Sequence, residues 1–274
     1  MKKKILVIGN TDELPSVPVS IDSYCSFFTS PIGGNWRCDE IDIVLNPTKR
    51  SLFKTINAIE KADCDFVITI YLGHGCEVDG ETVLIINERE ETILMRDLTN
   101  LSQKQLTIVE CCREIVHKPI DLAFTQAEAT VSRLSMLHDT IRQAYENRIL
   151  ACPPQEIVLF ACDTDESAKG TSEGGRYSQN LLQAAQTMFV DSHSPFVSVS
   201  RVHKKAVLLM QAKLCLQQHP QIHQSRCPIN RRLPFVVNSS LWGIYDLVWA
   251  ILSRCSYTRM CTVKVINCKH DIFE

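Results

Sequence analysis

Two short apolar stretches each run into side chains suited to nucleophilic or acid–base chemistry. Asp65–Gly75 reads DFVITIYLGHG and carries His74, whereas Gln105–Glu114 reads QLTIVECCRE and carries Cys111 and Cys112. A cysteine attacks a carbonyl as its thiolate, so an imidazole that accepts the thiol proton is the minimum partner. Both runs are rich in β-branched residues and bounded by breakers, the pattern of buried strands in a parallel sheet. In such a sheet, reacting groups collect in the crevice beyond the carboxyl ends of the strands. Two strand ends can thus unite His74 and a thiol that are far apart in the chain, which points to a Cys/His hydrolase. Successive strand residues face opposite ways, so only one of Cys111 and Cys112 can face that crevice.

The elements that must position these groups follow from the flanking sequence. Lys4–Gly9 reads as a strand, Asp22–Thr29 as a short helix and Glu40–Leu45 as a second strand. Thr48 can cap a helix over Lys49–Lys61 that places Leu52, Ile56 and Ile59 on one face. This β-α-β-α-β order predicts a doubly wound parallel sheet. Further on come a β-ribbon over Glu81–Asn87, a helix near Arg96–Leu101 and a helix-compatible stretch over Asp121–Arg148. Glu156–Cys162 is a buried strand, and the polar loop Asp163–Gly175 leads into an amphipathic helix over Arg176–Phe189. Phe196–Val199 reads as the last strand and Lys204–Gln217 as a helix. Leu241–Leu252 is an apolar helix candidate and Thr262–Ile266 a strand candidate.

Tyr71-Leu72-Gly73-His74-Gly75 resembles the strand-end His-Gly of caspases and metacaspases. Ile108-Val109-Glu110-Cys111-Cys112-Arg113-Glu114 is similar to the nucleophile strand that ends Q-A-C-R-G in caspases. The likeness extends over roughly Lys4–Asn238. It implies a caspase-like three-layer α/β sandwich: a mostly parallel sheet of about six strands with helices on both faces. A peptidase domain would span 1–240, divided into a large-subunit-like part (1–118), a linker (119–154) and a small-subunit-like part (155–240). Residues 241–274 would form an extension packed on the domain or on a partner.

The resemblance implies Cys112 as nucleophile, His74 as acid–base and the backbone N–H groups of Gly75 and Cys112 as oxyanion hole. Glu110 stands where caspases have Gln and metacaspases Asp, in the pocket for the residue preceding the cut. Asp163, Asp165 and Glu166 follow in the adjoining loop, and this acidity favours Arg or Lys. A different reading pairs Glu110 internally, with Arg113 as the candidate partner. Such linkers are often cut during maturation, which makes Arg133, Arg142 and Arg148 candidate processing sites. Prokaryotic caspase-like proteins suggest a latent, regulated protease in antiviral defence or cell death, released by an activating protein partner, a ligand or linker cleavage. Glu114 stands where caspases have Gly, so the alternative is an inactive interaction module whose nucleophile loop Glu114 distorts. A small-molecule Cys hydrolase or transferase on the same fold is a further rival.

Lys+Arg 29 against Asp+Glu 31 leaves the chain near neutral, which argues for protein or peptide substrates over nucleic acid or an anionic membrane. Thirteen cysteines without a CxxC pair read as reduced thiols of a cytoplasmic protein. The apolar run after Lys4 ends at Gly9, too short for a signal h-region, and no run is long enough to cross a bilayer. His219, His223 and Cys227 have zinc-like spacing, but Pro220 and Pro228 interrupt them and a structural loop is expected. No loop of defined oxygen-ligand spacing supports calcium, and no phosphate-loop motif follows a strand, so no cofactor is expected.

Overall fold

The computed structural model describes residues 1–115, 139–191, 194–212 and 217–238, together with the backbone of Val265–Asn267. The strands are β1 (Lys3–Gly9), β2 (Ile41–Leu45), β3 (Phe66–Leu72), β4 (His74–Val78), β5 (Glu81–Ile85), β6 (Thr92–Leu94), β7 (Lys104–Glu110) and β8 (Gln155–Phe160). They continue with β9 (Gly170–Thr171), β10 (Gly174–Gly175), β11 (Phe196–Ser198), β12 (Gln221–Gln224), β13 (Pro234–Val237) and β14 (Val265–Asn267). The helices are α1 (Ser16–Thr29), α2 (Lys49–Lys61), α3 (Asp139–Leu150), α4 (Arg176–Asp191) and α5 (Val199–Ala212).

The main sheet runs in the order β12-β8-β7-β3-β1-β2-β14. Every neighbouring pair is parallel except β8 with β12, so the sheet is mostly parallel as expected. Alternation along the strands feeds two separate cores. Ile5, Val7, Ile68, Ile70, Leu106 and Ile108 pack beneath α1, α3, α4 and α5. Leu6, Ile8, Val67, Tyr71 and Val109 pack against α2 and the small β4-β5-β6 sheet. The result is a three-layer α/β sandwich.

Local chemistry explains the boundaries. Thr48 caps α2 as expected, its side chain accepting the Ser51 N–H. Helix α1 starts six residues before the expected Asp22, because Pro18 sits in its first turn, where a missing N–H costs nothing. Strand β3 ends at Leu72, so His74 opens β4 instead of closing the strand before it. The expected last strand, β11, leaves the main sheet and pairs with β13. The edge place is taken by β12, whose polar sequence gives no strand signal. Of the expected 204–217 helix, α5 starts earlier and residues 213–216 lie outside the described residues. So do the Leu241–Leu252 candidate and most of the 121–148 stretch, apart from α3. The Thr262–Ile266 candidate corresponds to β14, which adds to β2.

Arg142 was expected in an exposed linker, yet it lies buried on α3 and pairs with Glu40 and Glu146. Arg148 donates to the carbonyls of Asn230 and Arg232 at 2.9 Å each. Both side chains hold α3 in place, with Ile141, Tyr145 and Ile149 in the core. Neither is presented as a processing site here; Arg133 lies outside the described residues. Among the described residues no helix is long and apolar enough to cross a membrane.

Candidate active site

The carboxyl ends of β1, β3 and β7 converge on one cleft. It is lined by Leu72, His74, Glu110 and Cys112 from the sheet side, by Val17 and Ser20 from α1, and by the 168–170 loop and Gly175. Strand alternation explains who faces it. Glu110 follows Leu106 and Ile108 on the α1/α4 face, and Cys112 shares that parity. Cys111 turns the other way into the second core, where it is 2 % exposed. Burial pushes its thiol well above the ordinary range, so it stays protonated.

The His74 ring is fixed by its backbone surroundings. Nε2 lies 2.8 Å from the Asp12 carbonyl oxygen, which can only accept, so the neutral ring carries its proton there and leaves Nδ1 with a free lone pair. Asp12 lies in the loop after β1, anchored by Asn10, whose N–H donates to Leu72 O at 2.9 Å and whose Nδ2 donates to Ile85 O at 2.8 Å. The buried Tyr71 hydroxyl lies 2.6 Å from His74 O and 2.5 Å from Ile85 O, bracing the start of β4. The Cys112 thiol has the Ala168 carbonyl 3.8 Å away.

Strand β4 has β5 on one edge and residues 110–115 on the other. On that second edge Gly73 N–H donates to Glu110 O at 3.1 Å and Glu77 N–H donates to Glu114 O at 2.9 Å. Backbone N–H groups alternate between the edges of a strand, so Gly75 N–H also points to the 110–115 side, at the level of Cys112. The glycine itself is demanded by packing: a Cβ on Gly75 would sit 2.6 Å from the Cys111 sulfur.

Glu110 is 7 % exposed and caps α4. Oε1 accepts Tyr177 N–H at 2.9 Å and Ser178 N–H at 3.2 Å, while Oε2 accepts the Ser178 hydroxyl. Burial raises its pKa, opposed by these three hydrogen bonds. Gly175 lies against the carboxylate, where a Cβ would collide with Oε2. Arg113 is not its partner; that guanidinium pairs with Glu77. Glu114 is not among the residues with positive φ, and its carboxylate accepts from Ser167.

The loop acids lie away from the cleft. Glu166 holds His219, with Oε1 2.5 Å from Nδ1, and this pairing lowers the Glu166 pKa against its burial and raises that of His219. Asp163 accepts from Gln221 at 3.0 Å, and Asp165 lies 3.4 Å from Ile115 N–H. His223 packs on Phe160, so it does not share a site with His219 and Cys227. Among the described residues no group of three or more His, Cys, Asp or Glu could hold a metal ion.

The sequence reading missed the Asp12 carbonyl, the α1 lining and the Tyr177–Ser178 cradle. None of the three carried a residue-type signal: the contacts are to backbone groups or join segments distant in sequence.

This chain belongs to the caspase-domain family, whose model, described as "Caspase domain", matches residues 2–229. That family comprises cysteine peptidases of the caspase type. Among solved structures, protein GSU0716 from Geobacter sulfurreducens matches at 14 % identity and TM-score 0.51, over 86 % of this chain and 99 % of its own. Caspase-1 from Spodoptera frugiperda matches at 10 % identity and TM-score 0.50, over 81 % of this chain and 86 % of its own. At these identities the likeness shows the fold. No curated protein matches the sequence.

Proposed function

We propose that the chain is a cysteine endopeptidase that cuts proteins after Lys or Arg, with Cys112 as nucleophile and His74 as acid–base. The observation that carries this reading is the shared cleft: a half-buried thiol, an imidazole with Nδ1 left as its base, and a carboxylate, Glu110, as the acid among the lining residues. In the first step the Cys112 proton passes to Nδ1 and the sulfur attacks the scissile carbonyl. The oxyanion takes hydrogen bonds from the N–H groups of Gly75 and Cys112. The protonated His74 then gives its proton to the leaving amine as the C–N bond breaks. Water next loses a proton to Nδ1 and attacks the thioester, and the thiol is restored as the acid product leaves.

Basic specificity follows from lone-pair counting. A carboxylate offers about four acceptor sites. Three are used by Tyr177 and Ser178, which leaves one on Oε2 for a substrate cation. A single-point contact suits an ammonium as well as a guanidinium, so Lys and Arg substrates should turn over comparably. The β9–β10 hairpin rests on α1, where Gly175 N–H donates to Ser20 Oγ at 2.7 Å, and it covers the carboxylate. This cover supports a latent enzyme that opens with an activating partner, a ligand or linker cleavage, in the setting of defence or cell death.

The test is fluorophore release from matched peptides ending in Lys, Arg or Asp. Turnover of the Lys and Arg peptides, lost in Cys112→Ala and in His74→Ala, is the expected result. Cleavage confined to Asp peptides would overturn the specificity. Survival of activity in Cys112→Ala would overturn the dyad.

A further inference from the structure

We propose that the buried Glu77–Arg113 ion pair is the positioning device that sets His74 against Cys112. The inference rests on the dyad reading above. Glu77 lies three residues after His74 on β4, and Arg113 directly follows Cys112, so the pair joins the two catalytic segments behind the cleft. Arg113 Nε is 3.2 Å from Glu77 Oε2 and 3.3 Å from Thr82 Oγ1, and Thr82 Oγ1 donates to Glu77 Oε2 at 3.0 Å. The two side chains are only 7 % and 6 % exposed, and neither lines the cleft.

The guanidinium is held from a second side by the Phe160 ring, 4.3 Å below it on β8. The Arg113 backbone is held from a third side, its N–H donating to Glu166 O at 2.8 Å and its carbonyl accepting Asp165 N–H at 2.9 Å. Among the described residues, backbone hydrogen bonds from Gly73 to Glu110 and from Glu77 to Glu114 set the register of β4 against the 110–115 segment, and the ion pair adds a side-chain tie at the level of the catalytic pair. Burying an ion pair is weak support for stability, because apolar residues of the same shape usually do as well. What a buried pair adds is one defined arrangement, and a displacement of about 1 Å at a reacting group can cost about a hundredfold in rate. Glu110, α4 and α1, which would receive the substrate side chain, belong to the opposite face, so substrate binding should be spared.

The decisive variant is the double replacement Glu77→Leu/Arg113→Met, which removes both charges and fills the space. It is compared with Glu77→Gln, Arg113→Lys, His74→Ala and the wild type by thermal unfolding, by peptide kcat and KM, and by the pH dependence of Cys112 alkylation with iodoacetamide, followed by mass spectrometry. The double variant should melt near the wild type yet lose about tenfold or more in kcat, with KM within about threefold. Its alkylation profile should move towards that of His74→Ala. Arg113→Lys, which keeps the charge, should recover part of the rate. A double variant with wild-type kcat and wild-type alkylation would make the pair merely structural. If His74→Ala itself leaves turnover and alkylation unchanged, the dyad reading fails. If peptides are silent even for the wild type, the alkylation profiles alone decide both points.

Discussion

The four residues Glu110-Cys111-Cys112-Arg113 alternate between two faces of one sheet, and each face uses them differently. On the side of α1 and α4, Glu110 and Cys112 line the cleft, Glu110 beneath the β9–β10 hairpin. On the side of β4 and β5, Cys111 and Arg113 are sealed against Gly75, Glu77 and Phe160. Adjacent cysteines thereby acquire opposite surroundings from a two-residue period: one lines the cleft, the other is held as a protonated core thiol. Reactivity here is a property of the face and not of the residue type.

The sharpest break of that comparison is between the two thiols. Cys112→Ala should lower kcat/KM on a Lys peptide by at least about a thousandfold, or about 4 kcal/mol. His74→Ala should lose nearly as much, and the double variant little more, because the two act as a unit. Cys111→Ala should keep activity within about threefold. The supporting face is probed next by Phe160→Ala, which empties a buried ring site and should cost about 3–5 kcal/mol in urea unfolding.

Glu110→Gln tests the cleft face with a smaller effect. It should lower kcat/KM on Lys and Arg peptides by about tenfold while leaving a neutral peptide nearly unchanged. In the wild type the affinity for basic peptides should rise with pH as Glu110 ionises, above the ordinary carboxylate range because burial raises its pKa. The variant should show no such rise. For stability the sign is opposite: an acid whose folded pKa is raised favours the fold below its unfolded pKa, and that advantage is lost as pH rises through the folded value. The stability margin of wild type over Glu110→Gln should therefore shrink with increasing pH, as chemical unfolding at several pH values would show.

The smallest effect belongs to the exposed Glu166–His219 pair. His219 gains stability below its unfolded pKa and loses it as pH rises through its raised folded value. Glu166 gains above its unfolded pKa and loses as pH falls. The pair thus acts between the two, and solvent screening should keep the loss in His219→Ala within about 0.5 kcal/mol. A larger loss would show that this loop contributes more to the fold than its exposure indicates.

Much of the scaffold was legible because buried parallel strands are near-continuous apolar runs; β1, β2, β3, β7 and β8 announce themselves in this way. Helix α2 was legible to the residue because Thr48 caps it and its apolar face repeats. Strand β12 was not, since Gln221–Gln224 is polar and pairs only at the sheet edge. The period of two already separated Cys111 from Cys112, but it could not say which thiol faced the cleft. The Asp12 carbonyl and the α4 cradle of Glu110 were invisible for a different reason. Backbone groups carry no residue identity, and the contacts join segments that are distant in sequence. The packing of α3, which removes Arg142 and Arg148 from an expected linker, likewise depends on Glu40 and on the carbonyls near Arg232.

The most direct test of the two-face account is to treat the protein with a Lys-terminated peptidyl acyloxymethyl ketone and map the adduct by fragmentation between residues 111 and 112. Labelling on Cys112 alone, abolished in His74→Ala and competed by excess Lys peptide, is the predicted result. An adduct on Cys111, or equal labelling of several thiols without dependence on the peptide, would contradict it.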